Sequence, residues 1–143
     1  MSAAQTSPRG ADIAVGAALP DWELNVTPTV VVAGAIASRD FMPVHHSRDY
    51  ATAQGAPDIF LNILSTNGYV SRFITDWAGP EAMVRKIAIR LGGPAIPGQP
   101  LRFSGEVTDR REDGDEFVFD VAIRAANDLG DHATGTVTLN LPR

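Results

Sequence analysis

The chain has no cysteine among its 143 residues. That removes disulfides, Cys-based zinc sites and thiol nucleophiles together. No stretch approaches the ~20 apolar residues of a membrane-spanning helix. Residues 1–10 are small and polar and lack the apolar segment of a secretion signal. Positive charge is in short supply: 12 Lys and Arg stand against 17 Asp and Glu, for a net charge of −5 and a pI near 5.0. A general nucleic-acid binder needs a basic stripe, so that class is excluded. There is no internal repeat. What remains is the expectation of a soluble, cytoplasmic protein, with 44% hydrophobic residues and length enough for one domain around a single core.

Residues 1–12 read as a flexible tail and 13–143 as the single domain. Pro20 and Pro28 bracket an irregular or edge strand over 22–26. The nearly all-apolar, β-rich run 29–37 predicts a strand buried on both faces. A loop and a short helix reaching Ala53 follow, ended by Gln54-Gly55. Pro57 and Asp58 make a helix start with Asp58 as N-cap. Behind them Ile59, Phe60, Ile63, Leu64, Val70, Phe73, Ile74 and Trp77 recur at three- and four-residue spacings. This predicts one long helix over 58–77, stopped by Ala78-Gly79-Pro80. Gly68 in its middle costs about 1 kcal/mol in propensity, which implies close approach to a sheet.

Everything beyond that helix alternates with period two. Ile87, Ile89 and Leu91 are interleaved with Lys86, Ala88 and Arg90, and Leu101, Phe103, Gly105 and Val107 with polar neighbours. Phe117, Phe119, Val121 and Ile123 follow the same rule, as do Val137, Leu139 and Leu141. The polar segments 110–115 and 127–131 suit hairpins. Successive half-apolar strands imply one antiparallel sheet whose apolar face needs a cover, and the single long helix supplies it. The pattern therefore predicts an α+β chain with a curved antiparallel sheet wrapped around one central helix, the hot-dog fold.

The segment Arg39-Asp40-Phe41-Met42-Pro43-Val44-His45-His46 holds the densest chemistry. Asp40 and His45 are splayed by roughly 140° on a regular helix. Pro43 argues against such a helix and suits the first position of a new one. A loop carrying Asp40 and a helix start carrying His45 can aim both at one point, as acid–base chemistry requires. A loop Asp that caps the helix before a surface His is the structural alternative. His46, with His132, Asp128 or Asp131, invites a metal reading, but adjacent residues rarely share a metal and no ligand spacing supports one. Asn127 to His132 reads more simply as a turn with a solvated tip. Arg85, Lys86, Arg90, Arg102, Arg110 and Arg111 belong on the solvent face of the sheet, with phosphate contact as their other use.

This segment resembles the signature of the MaoC-like, R-specific enoyl-CoA hydratases, in which Asp is followed by Asn-Pro, an aliphatic residue and His. Asp40, Pro43, Val44 and His45 match in register, and small Ala51 falls where the pattern wants one. Met42 stands for the usual Asn and Arg39 for a small residue. The resemblance runs from about Val15 to the C-terminus. It is strongest to the small MaoC-like subunit of actinobacterial steroid side-chain hydratases, through RDF…VHH, DIF.NIL, TDWAGP, FSGEVT and LGDH.

The resemblance implies hydration of a 2-enoyl-CoA, with a bulky steroid side-chain thioester as substrate and Asp40 and His45 bracketing the catalytic water. It implies no separate cofactor, CoA being part of the substrate, and no metal. The expected partner is a larger MaoC-like subunit or a second copy, with neither nucleic acid nor membrane involved. His45 near a helix N-terminus would be kept neutral by the dipole. The oxyanion donor is expected at a backbone N–H of Asp58 or Ile59, where the long helix should begin, although the family usually has Gly at this turn. Phe60, Asn62 and Thr66 would line the acyl channel or serve only helix packing. The rivals are a non-catalytic hot-dog subunit and an acyl-CoA thioesterase, the latter wanting a carboxylate inside the long helix.

Overall fold

The structure is a computed structural model and describes residues 6–143. Its elements in chain order are β1 (Trp22–Leu24), α1 (Pro28–Ala37), α2 (Arg48–Ala53), α3 (Ile63–Ala78), β2 (Met83–Leu91), β3 (Leu101–Asp113), β4 (Glu116–Asn127) and β5 (Gly130–Pro142). Short 3₁₀ turns occupy Gly10–Asp12 and Pro43–His45. The strands form one antiparallel sheet in the order β1-β3-β4-β5-β2. α3 lies on its apolar face, giving the hot-dog architecture that the alternation predicts.

The period-two pattern sets which side chains meet the helix. Phe117, Phe119, Val121 and Ile123 of β4 are buried, with Leu101, Phe103 and Val107 of β3 and Val137, Leu139 and Leu141 of β5 beside them. α3 answers with Val70, Phe73 and Ile74, and the Phe73 and Phe103 rings lie 5.8 Å apart. β2 is an edge strand, half-buried only at Val84, Ile87 and Ile89. Gly135 sits where β5 passes β2: a Cβ there would lie 2.0 Å from the Ala88 carbonyl oxygen.

Three expectations need correction. Residues 29–37 are helical, within α1, and only Val31 and Ala35 are buried, one turn apart. Thr27 is the reason: its Oγ1 accepts the Val30 N–H at 3.1 Å and Pro28 takes the first position, so a strong start overrides the β-branched run. The long helix begins at Ile63, because Asn62 is the cap and its Oδ1 accepts the Ser65 N–H at 2.9 Å. The residues ahead of it are extended enough for the Leu61 N–H to reach the Ala95 carbonyl. Gly68 does not touch the sheet; a Cβ there would meet nothing within 4 Å, and the close approach occurs instead at Gly34, against Ser65.

Of the tail expected over 1–12, residues 1–5 lie outside the described residues. The remainder is docked from Ser7 onward. Ser7 Oγ accepts the Glu81 N–H at 2.9 Å, and Gly10 is pressed onto Phe117.

Candidate active site

Asp40 owes its place to the end of α1. The Arg39 N–H bonds the Ile36 carbonyl at 3.0 Å and the Asp40 N–H bonds the Ala35 carbonyl at 2.9 Å. Arg39 has φ +58°, in the left-handed region. These are the paired bonds of a Schellman motif, in which the left-handed position usually belongs to Gly. The helix that the sequence disguises as a strand is thus what aims Asp40.

His45 comes from the Pro43–His45 turn, with Pro43 at its start as expected. His45 is the last residue of that turn, and α2 begins only at Arg48 behind its own cap, Ser47. The positive helix end expected beside His45 is therefore not formed by its own turn. Its ring is held by Phe60: Nδ1 lies 2.7 Å from the Phe60 carbonyl oxygen, and the two rings meet edge-on at 5.0 Å. A carbonyl only accepts, so Nδ1 carries its proton and Nε2 faces Asp40. Nε2 is 3.3 Å from Asp40 Oδ2.

Asn62 completes the group. Its Nδ2 donates to Asp40 Oδ2 at 3.1 Å and to Ser38 Oγ at 2.8 Å. The Met42 N–H adds a bond to Asp40 Oδ1 at 3.3 Å. The Asn62 donor foremost, with Met42 and His45 in support, holds the Asp40 carboxyl below its ordinary range against the opposing effect of burial. Asp40 is thus a carboxylate at neutral pH. The 3.3 Å gap then separates two acceptors unless a proton sits on Nε2 or a water bridges them. Two acceptors facing one point can take a proton from a water held between them and return it to a neighbouring atom.

These residues face a cavity of about 410 Å³ lined by Asp40, His45, Phe60, Leu61, Asn62 and Ile63 together with Leu91, Gly92, Gly93, Pro94 and His132. The start of α3 opens into it, bringing first-turn N–H groups that have no partner within the helix.

The structure brings together Asp40, His45, Phe60 and Asn62. Thr66 is fully buried one turn into α3 and meets the cavity through its partner His132, 2.8 Å away. Asp58 and Ile59 are elsewhere in the local geometry. They precede the helix, the Ile59 N–H is bonded to Asp58 Oδ1 at 2.7 Å, and Asp58 pairs with Arg48 through both oxygens. Arg48, more than any other neighbour, keeps the Asp58 carboxyl below its usual range. The helix start on which that expectation rests lies instead at Asn62 and Ile63. His46 is exposed. Among the basic residues, Arg102 meets Glu23 and Asp128, Arg111 meets Asp109 and Asp120, and Arg85 approaches Glu116.

His132 is the functional candidate that the sequence misplaces. It is 3% exposed, not at a solvated tip. The register of β4 with β5 slips there, Ala125 facing Ala133 while Ala126 faces Asp131, which leaves His132 as the extra residue. A β-bulge turns a side chain to the other face, so strict alternation fails at this point. The only sequence signal was the LGDH match.

A single hot-dog unit with an Asp–His pair beside the start of its central helix is the arrangement of the MaoC-like hydratases, and the chain belongs to this family. It is 49% identical over 127 residues to the 3-oxo-4,17-pregnadiene-20-carboxyl-CoA hydratase beta subunit of Mycobacterium tuberculosis, spanning 89% of this chain and 95% of that one. The crystal structure of the ChsH1–ChsH2 complex from Mycobacterium tuberculosis contains a chain 48% identical to this one, with a TM-score of 0.84 over 90% of this chain and 98% of that chain. The unliganded R-hydratase PhaJ1 from Pseudomonas aeruginosa shares the fold at 19% identity, with a TM-score of 0.84 over 96% of this chain and 87% of its own. No protein-family model matches the chain.

Proposed function

We propose that this chain adds water across the double bond of a bulky 2-enoyl-CoA, reversibly, with Asp40 and His45 acting on one water. The observation that carries the reading is the 3.3 Å approach of His45 Nε2 to Asp40 Oδ2 in the wall of a cavity into which α3 opens. The water oxygen bonds to Cβ as one of its protons passes to the pair, and that same proton then goes from the pair to Cα. Negative charge gathers on the thioester oxygen in between. In this reading the N–H groups of Asn62 and Ile63, at the positive end of α3, receive it. Reactants and products carry the same number of protons, so the pair ends in its starting state.

The substrate follows from the relative. A beta subunit named for 3-oxo-4,17-pregnadiene-20-carboxyl-CoA, at 49% identity, supports a steroid side-chain thioester here. The ChsH1–ChsH2 complex supports a larger MaoC-like partner. Among the described residues no strand pairs with the outer edge of β2, and such an edge suits pairing with another subunit. The assembly should bury at least the ~1,200 Å² of a stable interface.

The test is to produce the chain with a larger MaoC-like subunit and follow loss of the conjugated thioester of 3-oxo-4,17-pregnadiene-20-carboxyl-CoA. Hydration that disappears with Asp40→Asn is the expected result. Undiminished turnover in that variant would leave the chain as a structural subunit.

A further inference from the structure

The cleft contains a second imidazole that the proposed chemistry does not use. His132 lines the same cavity as the Asp40–His45 pair, and both its ring nitrogens are engaged. Nδ1 lies 2.8 Å from the Gly93 carbonyl oxygen and Nε2 lies 2.8 Å from Thr66 Oγ1. The carbonyl fixes the tautomer: Nδ1 carries the proton, and Nε2 accepts from the Thr66 hydroxyl. Thr66 has one proton, and its Oγ1 also lies 3.2 Å from the Asn62 carbonyl. The shorter contact to His132 claims it.

Those two bonds join two separate parts of the cleft. Thr66 belongs to the first turns of α3, whose opening residues Asn62 and Ile63 line the cavity. Gly93 belongs to the segment Gly92-Gly93-Pro94, which lines it as well. This segment is laid against β5 by two further bonds, Gly92 N–H to the His132 carbonyl and Gly93 N–H to the Asp131 carbonyl, both 2.8 Å. The approach is close enough that a Cβ on Gly92 would lie 2.3 Å from the Asp131 carbonyl oxygen. Burial keeps the imidazole's pKa below its usual value, the Gly93 bond opposing it, so the accepting nitrogen persists at neutral pH.

Resting on the reading of this cleft as the enoyl-CoA site, we propose that His132 is a positioning residue that sets the spacing between the glycine wall and the start of α3. Its Nδ1–H holds the wall along which the thioester arm lies. Its Nε2 holds the turn that carries the oxyanion donors. The first bond governs substrate binding and the second governs turnover.

Asparagine reaches about as far as Nδ1 and glutamine about as far as Nε2, so the two bonds can be kept one at a time. The assay uses the assembled protein and 3-oxo-4,17-pregnadiene-20-carboxyl-CoA, with kcat, KM and Tm measured for each variant. In His132→Asn, kcat falls roughly tenfold or more while KM stays within about threefold. In His132→Gln, KM rises roughly tenfold while kcat stays within about threefold. Thr66→Val repeats the His132→Asn pattern, and Thr66→Ser recovers most of the loss. The ring-nitrogen spectrum of the unmodified protein shows a neutral Nδ1–H tautomer for His132 that does not titrate near pH 6.5.

Parallel losses in both parameters that track a lowered Tm would reduce His132 to a packing role. All variants within about twofold of the parent while Asp40→Asn is inactive would also overturn the proposal. An Nε2–H tautomer would do so even if no variant folds. Turnover that survives Asp40→Asn would instead refute the reading of the cleft.

Discussion

Asn62 Nδ2 lies 3.1 Å from Asp40 Oδ2, while the same side chain's Oδ1 takes the Ser65 N–H at 2.9 Å. One amide thus caps the central helix and orients the Asp40 carboxylate. The two duties separate by substitution. Asn62→Ala removes both, and should cost about 1 kcal/mol in stability together with much of kcat. Asn62→Asp is as good a cap, so Tm should hold. It puts a second carboxylate beside Asp40, which raises the Asp40 pKa. The acid limb of the kcat/KM profile should therefore move to higher pH, and a pH–rate profile of the two variants checks it.

Asp40 and His45 should behave as one unit. Asp40→Asn and His45→Ala are each expected to lower kcat by roughly 10²–10⁴. The double variant should be little worse than the worse single one, because its second change removes an idle group. His46→Ala, at an exposed neighbour, should cost far less. Steady-state kinetics on the four proteins decide this, and a more damaging His46→Ala would reverse the assignment.

The pH dependence of stability should show two windows. Asp40, Asp58 and Asp120 have carboxyls held below the ordinary 3.8, so the folded state keeps them ionised where the unfolded chain takes up protons. Their contribution is present above that value and is lost as pH falls through their folded pKa values. His132 is also lowered, from 6.5, but it stays neutral in the fold while the unfolded chain protonates. Its share of stability is complete above 6.5 and erodes as pH falls below it. Thermal melts from pH 8 to 3 should show a first decline beginning near 6.5 that His132→Asn alters, then a steeper one in the carboxylate range.

Gly135→Ala should be costly for so small a change. Its Cβ would meet the backbone of β2 at Ala88 and Ile89, which no rotamer change can relieve. A loss of about 1–3 kcal/mol is expected. Hydrogen exchange should localise it to β2, the Phe119–Leu139 pairing in the middle of the sheet remaining protected.

The sheet was legible from the sequence because its signal is local: Phe117, Phe119, Val121 and Ile123 state their inward face by alternation alone. Asp40 and His45 were legible as a pair but their support was not. Val30, Val31 and Val32 read as strand, and the short Thr27-Pro28 start that makes them helical weighs little against nine apolar-looking positions in a row. With that helix misread, the Schellman motif at Arg39 was invisible. The helix start was misplaced for a related reason, since both Asp58 and Asn62 are good caps and only the pairing of Leu61 with Ala95, far along the chain, chooses between them. His132 was hidden by a register slip between two strands, which no single segment encodes.

Arg39 deserves a last look for what it costs the protein to keep. A bulky residue held at φ +58° is strained by roughly 1 kcal/mol relative to glycine. Selection for heat resistance would find in Arg39→Gly an easy relief of strain at the helix end, yet glycine's own freer φ and ψ also loosen the direction in which the chain delivers Asp40. Evolvability at this position is therefore a trade between endurance and aim. Arginine keeps the carboxylate on target by allowing it few other directions.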